Sequence, residues 1–205
     1  MTTELELLSE QIASCTKCEL CRSRTRTVPG EGPANAAIMF VGEGPGMNED
    51  QQGRPFVGAA GRLLNELLKT ISLDRSQVFI TNIVKCRPPD NRAPRKSEAE
   101  ACHPYLVTQI SLIKPMIICP LGTPAIVTLL GVEYSATKSH GEPVAREGIT
   151  YLPMYHPAAA LYDASLKPTL ENDFRTLKTL LENSSPGSKE QSFGSRGRET
   201  LEEWA

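Results

Sequence analysis

The stretch Gly42-Glu43-Gly44-Pro45-Gly46, followed by Asp50-Gln51-Gln52-Gly53-Arg54-Pro55-Phe56-Val57-Gly58, decides the reading of this chain. It begins where the apolar run Ala37-Ile38-Met39-Phe40-Val41 stops. A buried strand thus ends in a backbone that glycine leaves free to turn sharply and to approach a ligand closely. An acid, an Arg and an aromatic follow within a dozen residues. Open α/β sheets bind ligands at the carboxyl ends of their strands, so a site is expected here.

Working outward, residues 4–14 show helical spacing of Leu5, Leu7, Leu8 and Ile12. Leu63, Leu64, Leu67, Leu68 and Ile71 predict an amphipathic helix after Gly61. The β-branched run 78–84 predicts a strand. Ser97 and Glu100 have capping-box spacing and open a helix to about Leu112. A strand is expected over 116–120, a short helix over 123–130 ending at Gly131, a strand over 149–155 and a last helix over 168–182. Strands alternating with helices argue an α/β fold, with a mainly parallel sheet covered on both faces. One domain is expected over 1–182. Residues 183–205 are Ser-, Gly- and charge-rich and read as a flexible tail, in which Leu201 and Trp204 could dock weakly or form a short partner motif.

The composition is ordinary for a soluble globular chain, with 40% hydrophobic and 22% charged residues. No apolar run reaches the length of a membrane span, and the first residues lack the pattern of a secretory signal. A cytoplasmic protein without a membrane partner is expected. The net charge of −2 gives no global signal for nucleic acid. Locally, Lys85, Arg87, Arg92, Arg95 and Lys96 stand against Asp90 and Glu98, five cations against two anions, and Arg22, Arg24 and Arg26 form a second basic cluster. Basic runs are usually solvated loops; two of them flanking a site make a better case for phosphate contacts.

Six cysteines in a cytosolic chain argue against disulfides. Cys15 and Cys18 form C-x-x-C, which puts two sulfurs on one turn. Cys86 and Cys102 bracket the basic loop. Together they could hold a metal that ties the loop to the N-terminal segment. Spacing does not decide between zinc and iron–sulfur, nor does it exclude Cys21 as the fourth ligand. Cys119, within an apolar strand, reads as a small core residue.

Three further side chains invite chemistry, each with a plainer alternative. His156 closes a strand before Pro157, which pushes it out of helical geometry; a capped surface His is the plainer reading. Asn82 lies near the end of its strand, where its amide can donate and accept at once, or simply form a turn. Phe56 could stack a planar ligand or plug the core. His103 and His140 have weaker settings.

Here the residues carry a resemblance. Gly42-Glu43-Gly44-Pro45-Gly46, Gly53-Arg54-Pro55-Phe56-Val57-Gly58, the run Thr81-Asn82-Ile83-Val84-Lys85-Cys86-Arg87-Pro88-Pro89 and His156-Pro157-Ala158 resemble the motifs of the family 4 uracil-DNA glycosylases. The likeness runs from Cys15 to about Leu181. It implies a three-layer αβα fold around a four-stranded, mainly parallel sheet. It implies a [4Fe-4S] cluster held by Cys15, Cys18, Cys86 and Cys102, with Cys21 and Cys119 free. It implies a uracil pocket built from Gly42, Glu43, Gly44, Phe56, Asn82 and His156, acting on uracil-containing DNA as a monomer. In that pocket Phe56 would stack on the base, Asn82 would read it and His156 would stabilise the leaving group. Glu43 would orient the water or serve as a structural partner, and Glu49 would crowd C5 against thymine.

Related family 1 enzymes carry a catalytic Asp in the corresponding loop, where this chain has Gly44. The chain also lacks the His-bearing basic insertion of relatives that trap DNA covalently, so turnover is expected. Competing readings are a broader glycosylase for hypoxanthine or xanthine, and a non-catalytic metal-containing DNA-binding module. A phosphate-binding nucleotide enzyme is a weaker one, because the Gly loop lacks the Lys-Ser/Thr of a P-loop. A replication or repair protein could engage the tail.

Overall fold

The computed structural model describes residues 3–184. Its centre is a five-stranded sheet in the order β2-β1-β3-β5-β4, formed by β1 (Ile38–Gly42), β2 (Phe79–Asn82), β3 (Ile117–Pro120), β4 (Val144–Arg146) and β5 (Ile149–Tyr151). β1 pairs in parallel with β2 and β3, and β3 in parallel with β5. The resemblance implied four strands. Four parallel strands are present, and the short antiparallel β4 adds a fifth at the edge. Glu147 (φ 49) and Gly148 (φ 79) turn that hairpin, a pattern too short to stand out in the sequence.

Successive residues of a strand face opposite sides, and the two cores follow from β1. Met39 and Val41 join Leu8 and Ile12 of α1 (Glu4–Ala13), Leu106 and Ile113 of α4 (Lys96–Ile113) and Ile126 of α5 (Thr123–Leu130). Ile38 and Phe40 join Leu64 and Leu68 of α3 (Ala59–Thr70) and Leu170 and Phe174 of α8 (Leu166–Ser184). The Phe40 and Phe174 rings stack 5.7 Å apart. The result is the expected three-layer αβα arrangement.

Three short helices lie where the sequence carries no helical signal: α2 (Met47–Gln52), α6 (Ala136–Ser139) and α7 (Pro157–Tyr162). None is long enough to show a periodicity. The proposed Ser97–Glu100 capping box is not the start of α4. The helix begins two residues earlier, because the Glu98 carboxylate accepts the Arg95 backbone N–H at 2.7 Å and pairs with Arg92. β5 stops at Tyr151, short of the expected residue 155, because Pro153 lacks an N–H. Leu152 and Met154 still donate to the Ile118 and Pro120 carbonyls, so the extended run reaches His156 as read. α8 runs to Ser184; the rest of the proposed tail, including Leu201 and Trp204, lies outside the described residues. Among the described residues, no helix is long and apolar enough to cross a membrane.

The chain leaves β1 for β2 on one side and β3 for β5 on the other. The direction reverses between β1 and β3, and ligand crevices of open α/β sheets form at such a point.

Candidate active site

A cavity of about 470 Å³ opens at the carboxyl ends of these strands. Glu43, Gly44, Glu49, Phe56, Asn82 and His156 line it. Gly42 lies directly behind them, in register with Asn82 across β1 and β2. The residues chosen from sequence for the pocket are therefore brought together.

Asn82 is 2% exposed, and its Oδ1 has no hydrogen-bond partner among the described residues. A buried acceptor left unpaired costs about 1–3 kcal/mol, so its position in a cavity wall marks it for a ligand.

His156 caps the start of α7. Its Nδ1 accepts the Ala158 N–H at 3.1 Å. With that lone pair engaged, the ring proton sits on Nε2. Burial pushes the ring down to about 4, against the opposing pull of the Glu49 charge. At neutral pH His156 is an uncharged Nε2–H donor.

Phe56 combines both of its sequence readings. It is buried, yet it lines the cavity and stacks on His156 with ring centroids 5.4 Å apart. Its φ of 50° lies in the left-handed region, which costs a non-glycine residue about 1–3 kcal/mol. Its neighbours hold it there. Arg75 donates to the Phe56 carbonyl at 3.1 Å and to the Pro55 carbonyl. Glu49 Oε1 accepts the Val57 and Gly58 N–H groups, each at 2.9 Å. A Cβ on Gly61 would overlap the Phe56 carbonyl. Sequence reading missed Arg75 and Gly61; they lie 19 and five residues from Phe56, and nothing in their local pattern points to it.

Glu43 is half-buried, and burial raises its carboxyl above the ordinary 4.5. No hydrogen bond engages its side chain among the described residues. At the mouth stand Pro88, Asn91 and Arg92 of the basic loop and Tyr162, which is 93% exposed. Part of the basic charge is spent internally. Arg92 grips Glu98 with two hydrogen bonds of 2.7 and 2.8 Å. Arg24 donates to Cys86 Sγ at 3.2 Å and to the Cys15 carbonyl at 2.8 Å.

Cys15, Cys18, Cys21, Cys86 and Cys102 surround a second, small space beside Tyr105 and Lys85. The Lys85 N–H donates to Cys102 Sγ at 3.3 Å. Cys21 shares this space, so the structure does not set it apart from the other four. Cys119 is fully buried in β3, as its core reading requires. Among the described residues, no three His, Cys, Asp or Glu side chains converge closely enough to hold a single ion.

A family model described as the uracil DNA glycosylase superfamily matches residues 29–178. Within that class, the chain is 51% identical over 185 residues to a type-4 uracil-DNA glycosylase of Sulfurisphaera tokodaii, covering 86% of this chain and 84% of that protein. It is 45% identical to the type-4 uracil-DNA glycosylase of Saccharolobus solfataricus, covering 86% of each chain. With that of Archaeoglobus fulgidus it is 45% identical over 86% of this chain and 92% of that one. The chain belongs to the type-4 uracil-DNA glycosylases.

Proposed function

We propose that this chain is a DNA repair glycosylase that flips uracil out of DNA and hydrolyses its N-glycosidic bond, leaving an abasic site. The observation that carries the reading is the buried, unpartnered Asn82 Oδ1 in the same cavity as the neutral His156 donor.

The target nucleotide leaves the stack at a cost of roughly a few kcal/mol. Phe56 stacks on the pyrimidine. Asn82 Oδ1 accepts from N3–H, and the Asn82 amide donates to O4. Cytosine presents the opposite pattern and would leave both groups unpaired, which is a strong ground for rejection. Glu49 walls the cavity and is the group assigned to crowd C5 against a thymine methyl.

The bond between the sugar C1′ and uracil N1 breaks with its electron pair going to the base. The sugar becomes cation-like and uracil an anion. His156 Nε2–H donates to O2, where charge develops, and N–H groups of the Gly42–Gly44 loop add to it. One such preorganised donor is worth about 3–4 kcal/mol. Water adds to C1′ and gives up a proton, and uracil takes one up from solvent. With Gly44 in place of a carboxylate, Glu43 is the group assigned to orient the water; its unengaged, half-buried carboxyl supports that role.

The resemblance to the family 4 enzymes implies an iron–sulfur centre, in which each thiolate meets its own iron; the cysteines gathered around one space supply the sulfur ligands for it. We assign Cys15, Cys18, Cys86 and Cys102 to a [4Fe-4S] cluster. When bound, it supplies a cross-link between the N-terminal segment, the basic loop and α4. N–H···S bonds from Arg24 and Lys85 suit the thiolates of such a centre. Thiolates persist in a reducing compartment, which supports a cytosolic location. A monomer suffices for this mechanism, since one chain supplies every assigned group.

Oligonucleotides bearing a single uracil, cytosine, thymine or hypoxanthine test the reading. Release of uracil alone, with alkali-labile abasic product, is expected. Faster release of hypoxanthine would overturn the assignment of uracil, and no release from any strand would remove the enzymatic reading.

A further inference from the structure

Lys85 is the largest polar side chain in the interior and is 1% exposed. Among the described residues, no carboxylate pairs with its amino group. It donates instead to Thr81 Oγ1 at 2.6 Å, Gln109 Oε1 at 2.7 Å and the Asn82 carbonyl at 2.8 Å. Three acceptors surround the nitrogen, so its N–H groups are satisfied as buried donors must be. An aliphatic side chain would fill the same space with no need for such partners. The arrangement therefore calls for an explanation beyond packing.

Its contacts supply one. The side chain donates to the carbonyl of Asn82, the residue assigned to read the base. Thr81 precedes Asn82 on β2, and Thr81 and Gln109 both donate to the Pro29 carbonyl, at 2.9 and 2.7 Å. The backbone of Lys85 is tied as well. Its carbonyl accepts the Val28 N–H at 2.8 Å, and its N–H donates to Cys102 Sγ at 3.3 Å. One residue thus joins the end of β2, the segment at Val28–Pro29 and α4, with a cysteine of the second cavity on one side and Asn82 on the other.

We propose that Lys85 is a positioning residue for base readout: it fixes the backbone at Asn82, and thereby the Asn82 amide in the cavity, and it links that amide mechanically to the cysteine centre. This deepens the assignment of Asn82 as the uracil reader and rests on it. Small displacements of a reading group cost catalysis steeply, so a rigid mount under Asn82 has a purpose that a surface loop could not serve.

A double-mutant cycle tests the link, since it isolates coupling from shared instability. Single-turnover cleavage of a uracil oligonucleotide is measured for the wild-type chain, Lys85→Met, Asn82→Ala and the double variant. The rate constant reports positioning, and the amplitude reports the folded, active fraction. Lys85→Met should lower the rate constant roughly tenfold in the wild-type background and less than about twofold in the Asn82→Ala background. Affinity for the abasic product strand should stay within about twofold. Thr81→Val is the gentler probe if Lys85→Met folds poorly; it removes one acceptor and should lower the rate constant roughly threefold, with the same loss of effect beside Asn82→Ala. Equal fold-changes in both backgrounds, or a change confined to amplitude, would overturn the proposal and leave the glycosylase assignment standing. A wild-type chain that fails to cleave uracil would take both down.

Discussion

Gly42 and Asn82 face each other in register across β1 and β2, and a Cβ on Gly42 would overlap both Asn82 Oδ1 and the Phe56 ring. The glycine is there for space, not for backbone freedom. Its missing side chain leaves room for the amide proposed to read the base and the ring proposed to stack on it. Gly42→Ala should therefore push both aside while leaving the sheet intact. Misplacing a substrate-positioning group by about 1 Å can cost roughly 100-fold. Single-turnover cleavage of a uracil strand by Gly42→Ala should fall by about that factor, with an unchanged circular dichroism spectrum. Cleavage within threefold of wild type would show that neither group needs this clearance.

The pH dependence follows from His156. Folding holds the ring at about 4, below the ordinary 6.5, because burial disfavours its charged form. The unfolded chain thus binds more protons between those values. This contribution to stability is complete above about 6.5 and is lost as pH falls toward 4. For catalysis, the neutral donor is already present throughout the physiological range. The single-turnover rate should show no inflection between pH 6 and 7 that disappears in His156→Ala. Such an inflection would mean that His156 titrates normally and acts as a cation.

The cysteine centre makes a prediction visible to the eye. Anaerobically purified protein should be brown with broad visible absorbance, since thiolates on iron give charge-transfer bands that zinc cannot. Cys86→Ala should lower the folded yield, because Cys86 anchors both the proposed cluster and Arg24. A colourless protein with stoichiometric zinc, or a stable and fully active Cys86→Ala variant, would contradict the assignment.

Much of this architecture was legible in the sequence, and the reason differs by element. The apolar run before Gly42 and the Leu spacing of α3 report burial directly. The strand ends therefore locate Asn82 and His156 at the edge of the cavity. Cys15, Cys18, Cys86 and Cys102 were legible as a candidate group through C-x-x-C and the two cysteines around the basic loop, and the structure gathers them around one space together with Cys21. What stayed hidden depends on distant pairs. Arg75 reaches Phe56 across 19 residues, and Glu49 spends an oxygen on the Val57 and Gly58 amides. Arg24 and Arg92 read as phosphate-binding charge, yet each is engaged within the fold. Lys85 counted as part of a basic loop, although it is buried among Thr81, Gln109 and the Asn82 carbonyl. Charge alone carries no sign of which side of the surface it occupies.

The central claim is that a neutral His156 stabilises departing uracil, and single-turnover cleavage by His156→Ala tests it most directly. Losing one donor at a developing anion costs about 100- to 1,000-fold in rate. No carboxylate at Gly44 is present to compensate. The variant should cleave a uracil strand at least 100-fold more slowly than wild type, while its affinity for the strand changes little. Cleavage within a few-fold of wild type would contradict this, and would assign the chemical step to Glu43 or the backbone of the Gly42–Gly44 loop.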